Sequence, residues 1–138
     1  MLYFAYGSNL ERRGMARRCP KAKPLTAARL EGYRLVFRGY IDITPEPAGV
    51  VWGALYELTP TCQRALDKYE DAPRLYRQVK VTVVTDEGPR EAMAYVKNDK
   101  TIAPPEVAHY TSIARGYADW KLDEAPLRRA RLAVLSGK

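Results

Sequence analysis

Apolar and polar residues along this chain fall into short blocks whose period shifts between that of a strand and that of a helix. Leu2-Tyr3-Phe4-Ala5 is an apolar run that stops at Gly7, the pattern of a short buried strand. Ser8 or Asn9 then stands where a helix cap belongs, before a segment running through Leu10, Met15 and Ala16 toward Cys19-Pro20. Residues 29–37, with Leu30, Leu35, Val36 and Phe37, read as a strand, and the proline-containing stretch 40–49 reads as a loop. Residues 50–58 are rich in β-formers and interrupted by Gly53, which marks a bulge, a bend or a close backbone approach. Thr59 as cap and Pro60 in the first turn predict a helix over 61–69. In 76–85, Val79, Val81 and Val83 alternate with Lys80 and Thr82; the turn 86–89 and the strand 91–96 complete a hairpin. Pro104-Pro105 opens a third helix through Ile113, and Pro126 precedes an amphipathic helix carrying Leu127, Ala130, Leu132, Val134 and Leu135.

The resulting order, β-α-β-β-α-β-β-α-α, is not a regular βαβ alternation. After residue 28 the strands follow one another as antiparallel neighbours. The pattern predicts an α+β fold, a small mixed sheet that is closed or strongly curled, with flanking helices. The chain shows no repeat and no linker-like stretch, and 138 residues fit one domain spanning 1–138. No apolar run approaches the ~18 residues of a spanning helix, so no membrane association is expected. The opening residues lack a basic region and a small-residue cleavage site, which points to a cytoplasmic protein.

Composition removes whole classes of chemistry. With His109 as the one histidine and Cys19 and Cys62 as the two cysteines, a zinc site built on several His or Cys ligands is excluded, and no metal site is expected. The cysteines form no CxxC pair and are expected to be reduced and buried. A Ser-His-Asp triad would have to use His109, which no nucleophile motif accompanies. Any catalysis falls to carboxylates, tyrosines and backbone groups. The net charge of +7 sits entirely in residues 11–38, where nine Lys or Arg meet two acids. Without a recognition motif this segment is a solvated basic face that attracts acidic small molecules, with weak, sequence-independent nucleic-acid binding at most.

Three constellations remain. The strand, glycine turn and helix start at Tyr6-Gly7-Ser8-Asn9 presents consecutive backbone N–H groups to a carboxylate or a developing oxyanion, or is an ordinary β-to-α turn. On the helix over 61–69, Cys62, Leu66, Tyr69 and Glu70 share a face, so Glu70 ends an apolar stripe. Desolvation, the negative helix end, and Asp67 and Asp71 all push its pKa upward, as suits a general base near neutral pH; otherwise it is an exposed glutamate at a fraying end. Ten tyrosines against two phenylalanines are an unusual ratio, and Tyr6, Tyr76 and Tyr110 flank these segments.

The run from Tyr3 to Leu10 resembles the opening motif of the gamma-glutamylcyclotransferase-like family. The resemblance continues in 51–58, in Leu66-Asp67-x-x-Glu70, in Tyr76 leading into 79–84, and more weakly in Pro105-x-x-x-x-Tyr110 and Gly116. It implies a mixed α/β fold around a β-barrel and a cavity where the Tyr6–Asn9 loop meets Glu70. It further implies intramolecular acyl transfer: the α-amine of a γ-glutamyl amine or γ-glutamyl amino acid attacks its own γ-carbonyl and yields 5-oxoproline. Glu70 then maps onto the general acid/base, with Tyr6, Gly7, Ser8, Asn9, Leu10, Tyr76 and Tyr110 around the substrate and no cofactor. A binding or regulatory domain that keeps the pocket without turnover is the alternative. Many relatives have glycine after the glutamate, where this chain has Asp71. The resemblance does not extend to the basic helix after Pro126.

Overall fold

The computed structural model describes residues 1–137. Five strands close into a barrel: β1 (Leu2–Ala5), β2 (Lys23–Arg38), β3 (Tyr40–Glu57), β4 (Tyr76–Thr85) and β5 (Gly88–Lys97), ordered β1-β3-β2-β4-β5. The antiparallel hairpin of β2 and β3 runs from Lys23 opposite Glu57 to Arg38 opposite Tyr40, with register shifts at Pro24/Thr26 and Glu31/Tyr33. Closure is made by the antiparallel β2–β4 pair at Arg29 and Val84 and by the parallel β1–β5 pair at Tyr3 and Met93. A closed barrel leaves no continuous edge for another strand to join.

The stretch 40–49 is therefore the first half of β3, not a loop. Its prolines are tolerated because β1 pairs only with Ala54 to Glu57, so on that side residues 45 and 47 have no β1 ladder bond to lose. The strand pattern is hidden because Ile41, Asp42 and Ile43 are all buried. Asp42 accepts from Arg38 Nε at 2.7 Å and from the Lys97 backbone N–H at 3.0 Å, while Lys97 Nζ donates to the Arg38 carbonyl at 2.6 Å. This satisfied network pins the β2–β3 turn, since a buried charge is tolerated only when paired and hydrogen-bonded. Of the three roles open to Gly53, close approach holds: a Cβ there would lie 2.3 Å from the Ala5 carbonyl oxygen.

Among the described residues four helices flank the barrel: α1 (Arg12–Arg18), α2 (Pro60–Tyr69), α3 (Val107–Asp119) and α4 (Ala125–Leu135). The first begins later than expected, because Ser8–Leu10 form a 3-10 turn and neither Ser8 nor Asn9 caps with its side chain. The third starts beyond Pro104-Pro105 and continues past Ile113 to Asp119. Helix α2 begins as its sequence dictates, with Thr59 Oγ1 accepting from the Cys62 N–H at 3.1 Å. Phe4, Leu10, Phe37, Leu66, Ile113 and Leu127 are fully enclosed in the core. Cys19 and Cys62 are buried and unbridged. Among the described residues no helix is long and apolar enough to cross a membrane.

Candidate active site

Glu70 is placed by the way α2 stops. The Ala72 N–H bonds the Asp67 carbonyl at 2.8 Å and the Asp71 N–H bonds the Lys68 carbonyl at 3.2 Å, a Schellman closure with Glu70 as the capping residue. Such a closure needs a left-handed residue next, and Asp71 supplies it with φ 54°. This accounts for glycine being at home at that position, since it takes positive φ without strain. The Asp71 carboxylate turns outward onto Arg74. Asp67 is engaged by Tyr95 Oη and Gln78 Nε2, each at 2.6 Å. Neither acid perturbs Glu70 as the sequence predicts. Burial alone lifts its pKa to about 7, with Arg18 pulling the other way.

Opposite Glu70 stands the turn that follows β1. Asn9 points inward and is 1% exposed. Its Nδ2 donates to Glu70 Oε1 at 3.2 Å and to Tyr3 Oη at 2.9 Å, and its Oδ1 accepts from Arg18 Nε at 2.8 Å. Ser8 Oγ lies 3.0 Å from Tyr69 Oη. Tyr76 Oη donates to the Ile41 carbonyl at 2.7 Å, the Ile41 N–H donates to His109 Nε2 at 3.1 Å, and Tyr6 Oη donates to the Tyr95 carbonyl. Burial pushes the phenols of Tyr3, Tyr6 and Tyr76 upward and the His109 imidazole down to about 4, so around Glu70 these groups are neutral at pH 7. His109 Nε2 is an acceptor and its proton sits on Nδ1, so it is no base for Ser8.

Apart from Arg18 and Tyr69, these residues together with Gly7 line an inner chamber of about 20 Å³. It opens past Ser8, Glu70, Tyr76 and His109 into an outer chamber of about 170 Å³ that adds Tyr40, Tyr69 and Leu75. Among the described residues no His/Cys/Asp/Glu cluster is arranged to hold a metal.

Of the residues expected at a site, Tyr6, Gly7, Ser8, Asn9, Glu70 and Tyr76 meet at this cavity. Leu10 does not line it: the side chain is in the core and the carbonyl accepts from Trp120 Nε1 at 2.9 Å. Tyr110 does not line it either. Its ring packs on Phe37 and carries the Arg131 guanidinium at 4.0 Å, so it anchors α4. One residue is about 100° of helix rotation, which turns His109 to the cavity and Tyr110 away. Tyr3, Ile41, Tyr95, His109 and Arg18 are the residues that sequence reasoning missed. Tyr3 sits in the recognised motif; for the others no local signal exists, because each reaches the site from a different element.

If Glu70 is the titrating base, kcat/KM falls below about pH 7, and a pH–rate profile of a His109→Gln variant keeps that limb in place. A limb that moved with His109 would transfer the titration to the imidazole.

A closed small barrel with a partly buried carboxylate facing a glycine turn is the class this architecture defines. Residues 3–122 match the gamma-glutamyl cyclotransferase, AIG2-like family, and the chain belongs to it. Gamma-glutamylcyclotransferases from Bos taurus and Homo sapiens are each 30% identical to it over 129 residues, covering 83% of this chain and 69% of theirs. A solved structure of a gamma-glutamyl cyclotransferase superposes with a TM-score of 0.80 at 25% identity, over 99% of this chain and 86% of that one.

Proposed function

We propose that this protein is a gamma-glutamylcyclotransferase-type enzyme that cyclises a γ-glutamyl amine or γ-glutamyl amino acid to 5-oxoproline. The observation that carries the reading is the Glu70 carboxyl, raised to about 7 by burial and facing the Gly7–Asn9 turn. At neutral pH the substrate's α-amine is mostly an ammonium, which has no lone pair to attack with. Glu70 takes its proton, and the freed nitrogen forms a bond to the γ-carbonyl carbon. The amide N–H groups of the turn receive the oxyanion. The oxyanion then collapses to the carbonyl and the carbon–nitrogen bond to the leaving group breaks as Glu70 returns the proton to that nitrogen; the ring nitrogen gives up its second proton, which the released amine takes up as it becomes an ammonium. The reaction transfers no electrons and needs no cofactor or metal. The γ-carbonyl points into the inner chamber toward the turn, and the rest of the substrate lies in the outer chamber, with the leaving amine against Tyr40, Tyr69 and Leu75.

A second reading, a pocket that binds without turnover, is supported by the sizes of the chambers: the inner one, about 20 Å³, has little room for a reacting group, while the outer one, about 170 Å³, can hold a ligand. One experiment separates the two. A panel of γ-glutamyl amines and γ-glutamyl amino acids is incubated with the protein and the products are read by mass spectrometry. Cyclisation gives 5-oxoproline and simple amide hydrolysis gives glutamate. Binding by calorimetry with neither product establishes the second reading.

Three of the nine basic residues in 11–38 are engaged within the fold, which supports reading the segment as a largely structural and solvated face. Arg12 stacks on Trp120 at 4.0 Å, Arg18 serves the cavity, and Arg38 is buried against Asp42. Filter binding to DNA and RNA is expected to be weak, indifferent to sequence and abolished by moderate salt.

A further inference from the structure

We propose that Arg18 is the positioning residue of this site: its Nε–H fixes the orientation of the Asn9 carboxamide and its planar face holds Tyr69, so that the Ser8–Asn9 turn and the Glu70 carboxylate are set against each other. The inference rests on the reading of Glu70 as the general base.

The two ends of a carboxamide differ only in what they bond. The Asn9 NH2 must face Tyr3 Oη and Glu70 Oε1, at 2.9 and 3.2 Å. Turned over, the amide would present its oxygen to a carboxylate, acceptor against acceptor. Arginine is a donor only, so Arg18 Nε at 2.8 Å from Asn9 Oδ1 forces the oxygen to its own side. The same guanidinium sends Nη2 to the Ser8 carbonyl at 3.4 Å and stacks 4.1 Å above the Tyr69 ring. Tyr69 Oη lies 3.0 Å from Ser8 Oγ. Both residues of the turn are thereby tied to one side chain. Arg18 ends α1 and Tyr69 ends α2, so their stacking also joins the two helices that deliver the turn and Glu70.

Arg18 is also the charge that acts on Glu70. From β1 and the turn after it Tyr3 and Tyr6 face the carboxyl, from β4 Tyr76, from β5 Tyr95 and from α3 His109, all neutral at pH 7. On α2 Asp67 is held by Tyr95 and Gln78, Asp71 just beyond it is held by Arg74, and Asp42 on β3 is held by Arg38 and Lys97. Lysine would keep the charge but lacks both the planar face and the Nε fork.

The test compares Arg18→Met, Arg18→Lys, Asn9→Ala and the Arg18→Met/Asn9→Ala double variant. Glu70 is titrated by carboxyl 13C NMR, the Asn9 side-chain amide is followed by 15N NMR, and kcat/KM is measured against pH. Arg18→Met is expected to move the Glu70 midpoint upward, carry the acid limb with it, and lower the plateau ~10- to 100-fold, the scale of a misplaced reacting group. Arg18→Lys is expected to lower the plateau with the midpoint unmoved. In the Asn9→Ala background, Arg18→Met is expected to lower the plateau little further. Wild-type midpoint and plateau in Arg18→Met, or an equal plateau loss with and without Asn9, overturn the proposal. If Arg18→Met does not melt as a folded protein, Arg18→Lys decides by its plateau and Asn9 amide signals. If the wild type releases no 5-oxoproline, the enzymatic reading fails. The Glu70 midpoint and the Asn9 amide signals then decide on Arg18: both shifted in Arg18→Met supports the proposal, both at wild-type values overturns it.

Discussion

Glu70→Gln is expected to cut 5-oxoproline formation by ~10²-fold or more while the protein stays folded and becomes the more stable form at alkaline pH. The amide keeps the shape and an oxygen for the Asn9 Nδ2 donor, now 3.2 Å away, but has no basic lone pair for the substrate's ammonium proton. The stability change has the opposite sign to the activity change. Burial raises the folded-state carboxyl from 4.5 to about 7. Below about pH 4.5 both folded and unfolded chains carry the proton and the side chain contributes its full share. As pH rises from about 4.5 through about 7 the unfolded chain ionises freely while the folded one keeps its proton in a partly buried site, and that share is lost. The loss is at most ~3–4 kcal/mol, the rise from 4.5 to about 7 at ~1.4 kcal/mol for each unit of pH, less whatever solvent reaches the carboxyl. Glutamine has no such dependence, so thermal melts of the two proteins should nearly coincide at pH 4.5 and separate by pH 8.5, with the variant higher. Equal turnover by both proteins would remove Glu70 from the mechanism. Coincident melts at pH 8.5 would mean the carboxyl is not desolvated.

Gly116→Ala carries the second large effect. Helix α3 lies directly on the 3-10 turn, and a Cβ at Gly116 would stand 2.4 Å from Leu10 Cβ and 2.7 Å from both the Glu11 nitrogen and the Leu10 carbonyl carbon. Two of these three atoms are backbone, so the clash is relieved only by moving the turn or the helix. Overpacking of this kind costs ~1–3 kcal/mol, against the ~1 kcal/mol that alanine returns over glycine inside a helix. The melt should fall by a few degrees. Activity should fall further, because the displaced turn carries Ser8 and Asn9, and a shift of ~1 Å at a reacting centre costs ~10²-fold. Arg115→Ala on the same helix is the control: its side chain is 70% exposed, its contact to Glu11 is 3.9 Å, and it should behave as wild type. Wild-type activity in Gly116→Ala would show that the turn tolerates the displacement.

Much of the fold and half of the site can be read from local pattern, and the exceptions are informative. Helix α2 follows from Thr59, Pro60 and the buried stripe through Leu66, because caps and helical spacing act over a few residues. The β4–β5 hairpin follows from valine alternation and the turn before Gly88 for the same reason. The first half of β3 escapes because its prolines look like loop residues until the barrel shows which strand edge goes unpaired. Tyr110 is misplaced and His109 overlooked because spacing along a chain does not fix the rotation of a helix against its neighbours.

The sequence by itself determined most of the elements, the positions of Glu70 and the glycine turn, and, through the motif from Tyr3 to Leu10, the family. Tertiary structure decided the rest. It closed the sheet, tied Asp67 to Tyr95 and Asp71 to Arg74, brought Tyr95 and His109 to the cavity, and set Arg18 against Asn9 behind it. The acidity of Glu70 belongs to this second group: it is set by the water that packing removes and by one guanidinium 52 positions away in sequence, and neither is written in the residues beside it.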